Sequence, residues 1–404
     1  MKNRSDMTDE KKIDRIIDAL VLLFIAFSLI SIAGTQIALG LLVLATVFSM
    51  VRNRHERPMG SYRTPLDLAF LLFALACVIA TVFSLRPAES LANLKNLLLI
   101  SAVYVLGYNL RGERRIARAV DLLVLVSVLV GAGGLLATDL PGGERMMPLQ
   151  STTMTWGAMS TIFTTLTFSL FLFTASRRRW LYLAAFAVQF IGMLFSYVRG
   201  AWIGFIAGLA LLILMRSRKL LFLGAAALML VFFIAPRQLQ DRILSITDLN
   251  VGSTQVRFTQ WRNSISIVRH QPLTGVGWID LGEIHRSVAP PGADLDYQAY
   301  RIGHFHNNLI MILVCLGVIG LAALLYMLYR IFRMELLLTR QCPPPSLSAA
   351  WTRGSLAALT AFWVNGLFDW TFGDAEPVTL LWLTVGICLA VERLAEKSSN
   401  SALK

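Results

Sequence analysis

Runs of mostly apolar residues, each near the length of a membrane-crossing helix, recur along nearly the whole chain. Crossing a hydrocarbon core roughly 30 Å thick takes about 20 such residues in a helix. Twelve segments qualify: 16–33, 35–51, 66–84, 95–110, 119–137, 152–174, 180–197, 200–215, 219–235, 306–329, 351–369 and 377–392. The apolar residues come as runs rather than as one-sided stripes, which is the pattern of lipid-embedded helices rather than of helices on a soluble core. Composition agrees. Of 404 residues, 56% are hydrophobic and only 15% charged, with mean hydropathy +0.64. Soluble domains carry about 25% charged residues, so this chain cannot clothe a water-facing surface. Soluble multidomain, collagen-like, disordered and disulfide-scaffold classes are excluded. The second run follows the first at once, so the first is expected to be a span and not a cleaved signal peptide. The expected fold is an all-α integral membrane bundle of about twelve helices, with one long extracytoplasmic loop containing short amphipathic helices.

Charge supplies the orientation. Net charge is +13 and the isoelectric point about 10.0, which in a soluble protein would point to nucleic acid. With both termini cytoplasmic, seven segments face inward. These are Lys2 to Arg15, the loop of Arg52, Arg54, Arg57 and Arg63, the loop of Arg111, Arg114, Arg115 and Arg118, Arg177 to Arg179, the group Arg216, Arg218 and Lys219, Arg330 to Arg353, and the C-terminal segment. They hold 26 of the 37 Lys and Arg residues, the positive-inside bias of a polytopic membrane protein. Topology thus accounts for the basicity, and no nucleic-acid partner is expected. The four cysteines fit the same picture, with Cys77, Cys315 and Cys388 in spans and Cys342 in a cytoplasmic loop. No disulfide framework is implied. The chain divides into spans one to nine (1–235), an extracytoplasmic loop (236–303), and spans ten to twelve with a cytoplasmic tail (304–404).

The 236–303 loop is by far the longest polar stretch, and loops on a rigid scaffold commonly carry function. Within it, residues 255–270 read as a helix, because Phe258, Trp261, Ile265 and Val268 fall on one stripe. It carries Arg257, Arg262 and Arg269 and ends before Pro272. The reading is an amphipathic helix at the membrane surface with Trp261 as interfacial anchor. Arg199, in Ser196-Tyr197-Val198-Arg199-Gly200-Ala201-Trp202, sits between two apolar runs with almost no loop, where a charge is costly unless it reaches water or a partner. His304 and His306 stand at the start of span ten. On a helix, residues two apart point about 200° apart, so a shared metal site is not expected. From His306, Gly317 lies about three helical turns on, and Gly320 follows. These small residues are expected to admit a neighbouring helix and wall in the imidazole. Asp280, Glu283, Asp369 and Asp374 read as solvated loop carboxylates.

Three pieces together resemble the O-antigen ligase family of bacterial glycosyltransferases. They are Arg199-Gly200-Ala201-Trp202; Arg257-x3-Trp261 followed by Pro272-Leu273-x-Gly275-x-Gly277; and His306-Asn307, nine residues, then Gly317-x-x-Gly320. The resemblance is close over roughly 150–335. It implies a donor polysaccharide on undecaprenyl diphosphate, a lipid A–core oligosaccharide acceptor, and inverting, metal-independent transfer at the periplasmic face of the inner membrane. It implies no cofactor, because the donor bond is already activated. Arginine presents a permanent planar fork to phosphate oxygens, so Arg199 and Arg257 are expected to hold the diphosphate. An imidazole can be neutral near pH 7 and accept a proton, which makes His306 the expected base for the acceptor hydroxyl. Arg262, Trp261, Asn307 and His304 are the further substrate-binding candidates, with His304 or a carboxylate as the alternative base. Other readings stay open. An O-antigen or exopolysaccharide polymerase would share this core, a protein oligosaccharyltransferase would share the donor, and a transporter would share the span count. A transporter is expected to place polar groups near the bilayer midplane, and these runs show almost none.

Overall fold

A computed structural model describes residues 4–52, 63–140, 143–149 and 152–402. Lys2, Arg54, Arg57 and Lys404, four of the residues expected on the cytoplasmic side, lie outside the described residues. The described residues are helical with no strand among them. In chain order the helices are α1 (Arg4–Phe27), α2 (Ile32–Arg52), α3 (Asp67–Val82), α4 (Pro87–Asn93), a 3₁₀ turn (Leu94–Ile100), α5 (Ser101–Asn109), α6 (Glu113–Ala137), α7 (Thr153–Phe173), α8 (Arg179–Leu194), α9 (Arg199–Arg216) and α10 (Leu220–Ile234). The polar loop contributes α11 (Arg237–Leu244), α12 (Gly252–His270), α13 (Gly282–Ser287) and α14 (Gln298–Arg301). The chain closes with α15 (Asn308–Gln341), α16 (Leu347–Asn365) and α17 (Ala375–Ala402). Each of the twelve expected spans coincides with helix, and the protein is an all-α membrane protein. Seven segments are both long and apolar enough to cross a bilayer: α2, α4 through α5, α6, α7, α9, α15 and α17; α3, α8 and α10 are shorter apolar helices.

The bundle is organised around α7, α16 and α17, whose side chains are buried on nearly every face. α16 packs on both α7 and α9. The α9 contact depends on a small-residue stripe, Gly200, Gly204 and Gly208: a methyl group at Gly208 would lie 2.8 Å from the Ala357 carbonyl oxygen, and one at Gly200 would lie 2.6 Å from Asn365 Oδ1. Close helix approach through such stripes is a membrane-protein device, and here it brings Arg199, at the head of α9, beside the turn after α16. By contrast α10 has no buried residue and packs chiefly against α9 at the edge of the bundle.

Span ten departs from expectation in two ways. Its helix starts at Asn308, not at His306, with the Asn307 side chain capping the Leu309 and Ile310 N–H groups at 2.9 and 3.0 Å. An N-cap residue is itself non-helical, so His304 to His306 lie outside the helix. The helix is also broken at Gly317, which takes φ 65° and ψ −167°. There, two helical hydrogen bonds are exchanged for four to the Pro272–Gly277 turn. The N–H groups of Val276 and Gly277 donate to the carbonyls of Val314 and Cys315, while those of Val318 and Ile319 donate to Pro272 and Leu273. No backbone group is orphaned by the exchange, as a buried break requires. Gly275 (φ 68°) and Gly277 (φ 98°) give the turn its shape, and any side chain at Gly317 would collide with the Leu273 carbonyl. The Pro-Leu-x-Gly-x-Gly and Gly317 signatures are therefore two halves of one joint. This corrects the expectation that Gly317 and Gly320 wall in the histidine.

Candidate active site at one end of the bundle

Three arginines converge on a cavity of about 250 Å³ between α9, α11, α12 and the turn after α16. Arg199 is held by the Ser245 carbonyl, by Ser253 Oγ at 2.9 Å and by Thr254 Oγ1 at 3.2 Å. Arg257 donates from Nε to the Phe368 carbonyl at 2.7 Å and from Nη1 to the Ser253 carbonyl at 2.8 Å. Arg242 donates from Nε to the Tyr197 carbonyl at 3.2 Å. Tyr197 occupies the left-handed region at φ 55°, a strained state for a bulky residue, and this sharp turn joins α8 to α9. All three guanidinium groups are thus fixed by neutral oxygens, and among the described residues none has a carboxylate within ion-pair distance. Burial, then the repulsion of Arg145, Arg199 and Arg257, pushes Arg242 down to about 10. Burial likewise lowers Arg257, with Asp369 opposing the shift. Such a pocket gains by accepting a multivalent anion.

Asp369 lines the same cavity and links it to His306. Its Oδ1 lies 2.8 Å from His306 Nδ1 and also accepts the Trp370 N–H at 2.9 Å. Burial would raise this carboxyl, but the hydrogen bond and charge of His306, with the Trp370 N–H, outweigh it and hold the group below the usual carboxylate range. Asp369 is therefore an ionised acceptor. An ionised Asp369 makes His306 Nδ1 the donor of this bond and so fixes the orientation of the ring. Side-chain exposures of 16% for His306 and 10% for Asp369 leave the pair largely shielded from solvent.

The surrounding loop is pinned from several directions. Buried Gln260 of α12 accepts the His306 N–H at 3.1 Å and donates to the His304 carbonyl at 3.1 Å. Asn307 donates to the Leu367 carbonyl at 2.9 Å, and Asn308 exchanges hydrogen bonds with Gly366, Thr371 and Phe372. The His-Asn-Asn run thus ties the head of α15 to the 366–372 turn that carries Asp369. Both polar ends of the Asn307 side chain are engaged in this tie. His304, outside any helix, packs edge-on against His306 with ring centroids 5.0 Å apart. The expectation that the two imidazoles point apart on a helix is thus corrected. Burial first, then the neighbouring His306, lowers His304 to about 4.

Arg199, Arg257 and Trp261 all line the cavity, with Asp369 carrying the connection to His306. Arg262 is not brought there; it is exposed on the opposite face of α12. That helix also turns its apolar stripe the other way from a simple core-facing helix. Val256, Gln260, Asn263, Ser264 and Ile267 are buried, while Phe258 and Ile265 are 38% and 54% exposed. Trp202 is buried packing, its Nε1 donating to the Met193 carbonyl at 3.2 Å.

Four site residues escape sequence reasoning. Arg242 sits on a short helix without a motif, and Gln260 has no charge to draw notice. Asp369 and Asp374 read as solvated loop carboxylates, yet Asp369 is buried and Asp374 is half-buried with Oδ2 taken by Thr155 Oγ1 at 3.1 Å. Burial, then Asp369 and Glu376, pushes Asp374 up to about 7. Asp280 and Glu283 are exposed, as expected.

A helical bundle of membrane-crossing length, with a cationic cavity linked through Asp369 to a histidine, defines a polytopic membrane protein with a site suited to an anionic ligand. Residues 184–325, about a third of the chain, match the family model described as O-antigen ligase. The match includes the Arg199 junction, the whole polar loop, His304 to Asn308 and the Gly317 break. A search of curated proteins finds no match. That match supports a likeness to the O-antigen ligase and polymerase superfamily, whose members are glycosyltransferase-like membrane enzymes.

Proposed function

We propose that the protein transfers polysaccharide from undecaprenyl diphosphate to the lipid A–core oligosaccharide at the periplasmic face of the bacterial inner membrane. The observation that carries this reading is the pairing of three carboxylate-free guanidinium groups with a shielded His306–Asp369 couple. Breaking the anomeric bond to diphosphate develops negative charge on the leaving group. Fixed cations aimed at that position stabilise the transition state without reorganising, usually the largest catalytic contribution. Arg199 and Arg257 hold the diphosphate in this reading, with Arg242 as third partner and Trp261 against the sugar or lipid. The acceptor hydroxyl loses its proton to His306 Nε2, and Asp369 stabilises the resulting imidazolium. Asp369 itself, held below the usual range, is a poor base at neutral pH. Direct displacement inverts the anomeric carbon. The roles need no cofactor and no metal, and Arg262 is left as a contact to lipid headgroups.

The test is a lipopolysaccharide gel with lipid-linked glycan analysis from cells lacking the protein. Bare lipid A–core beside long polymer retained on undecaprenyl diphosphate is the expected result. Core capped by a single repeat would reassign the protein as a polymerase. An unchanged ladder with no trapped glycan would remove the whole reading.

A further inference from the structure

His304, His306 and Asp369 each offer a ligand atom, and these atoms all lie within 4.8 Å of one another. Three features make this more than a chance grouping. First, the donors come from two chain segments held in place by other residues, the 304–306 segment by Gln260 and the 366–372 turn by its ties to Asn307 and Asn308. Second, no hydrogen bond to either ring nitrogen of His304 is present among the described residues, although the ring is half-buried and packed on His306. Third, the donor chemistry is selective. Two imidazoles and one carboxylate suit borderline cations such as Zn²⁺ or Co²⁺, whereas Mg²⁺ and Ca²⁺ favour all-oxygen sets. Three protein donors leave a fourth tetrahedral position open.

We propose that His304, His306 and Asp369 form a capture site for Zn²⁺-class divalent cations, and that occupancy inhibits the enzyme. The first half stands on geometry alone; the second rests on the reading of His306 as base. Coordination of the cation by His306 Nδ1 and Asp369 moves the Nδ1 proton, through solvent, to Nε2, the other nitrogen of the neutral ring. The imidazole then has no capacity to receive the acceptor proton. The cation acts as a plug and takes no part in turnover, so activity is expected to persist, or rise, when chelator is present.

The experiment uses the full chain, purified without a histidine tag in detergent micelles, titrated with Co²⁺ as a spectroscopic probe of Zn²⁺. The expected result is one saturable site with the visible ligand-field absorption of a four-coordinate ion, displaced by Zn²⁺ and not by Mg²⁺. His304→Ala and Asp369→Asn should each weaken Co²⁺ binding by at least about tenfold, since loss of even an outer-shell partner of a metal ligand costs roughly 10–100-fold. His270→Ala, an exposed histidine away from the cluster, controls for adventitious binding and should leave it unchanged. Absence of a saturable signal, or equal binding by His304→Ala and the native chain, overturns the capture site while leaving the proposed transferase reading intact. Conversely, saturable binding without inhibition of glycan transfer overturns the inhibition and removes His306 as base, with the cation site standing.

Discussion

Replacing Asp369 separates what its charge does from what its oxygen does. In Asp369→Asn, the amide oxygen can still accept both His306 Nδ1–H and the Trp370 N–H, the two donors that meet Oδ1 at 2.8 and 2.9 Å. Ring orientation and tautomer then survive, and only the negative charge facing the developing imidazolium is lost. A hydrogen bond to a charged group contributes about 1.5–3 kcal/mol, against about 0.5–1.5 kcal/mol for a neutral pair. The difference, about 1–2 kcal/mol, corresponds to a fall of roughly 5- to 30-fold in turnover. Asp369→Ala removes the oxygen as well, freeing the ring to rotate and change tautomer. Its expected loss approaches the whole general-base contribution, on the order of 10²- to 10⁴-fold. The assay is glycan transfer by purified protein from an undecaprenyl-diphosphate-linked donor to a lipid-anchored core acceptor, read as a gel shift. Thermal unfolding confirms that each variant is folded. If Asp369→Asn turns over within about twofold of the native protein, a span too small for the lost charge, the His306–Asp369 couple is not part of the chemistry.

Arg257→Lys keeps the charge but cannot reproduce the two bonds from Nε and Nη1, so transfer should drop by about 10²-fold or more, as for loss of a charge-stabilising donor. Arg262→Ala, on the exposed face of α12, should stay within a few-fold of native in the same assay, and a collapse there would bring Arg262 back into the site. Gly317→Ala places a methyl group against the Leu273 carbonyl at a positive φ and should cost about 3 kcal/mol or more, seen as a large fall in melting temperature or loss of folded protein from membranes. His285 is fully buried against Tyr300 and Phe305, and burial lowers it to about 4 from an ordinary 6.5. A depressed folded value means stability present above about pH 6.5 and lost as pH falls toward 4. A melting-temperature profile over that window should steepen in the native chain and flatten in His285→Phe; parallel profiles would assign the acid sensitivity elsewhere.

Span positions were legible because a bilayer demands length and apolarity, both visible in one dimension. Arg199, Arg257 and His306 were legible because their chemistry is unusual at a membrane surface. Asp369 was not, since its burial depends on Asn307 and Asn308 gripping a turn sixty residues away. The side-by-side placement of His304 and His306 depends on the cap at Asn307, which starts the helix two residues later than the apolar run suggests and takes both histidines out of the helical periodicity. Gly317 was noticed for its spacing but misread. The pattern of small residues gives no sign that the helix breaks, because the partner satisfying the break is the Pro272–Gly277 turn forty residues upstream.

That break constrains the order of biogenesis. Gly317 lies about 14 Å along α15 from Asn308, at 1.5 Å per residue. A helix entering lipid with two unsatisfied carbonyls and two unsatisfied N–H groups at that depth would be penalised by several kcal/mol per group. The turn that supplies their partners precedes α15 in the chain, so it is already synthesised when α15 is being inserted. The polar segment thus serves as an intramolecular template for the membrane helix that follows it. Exchanging that segment between relatives without its matching α15 should yield chains that fail during insertion rather than chains of altered specificity.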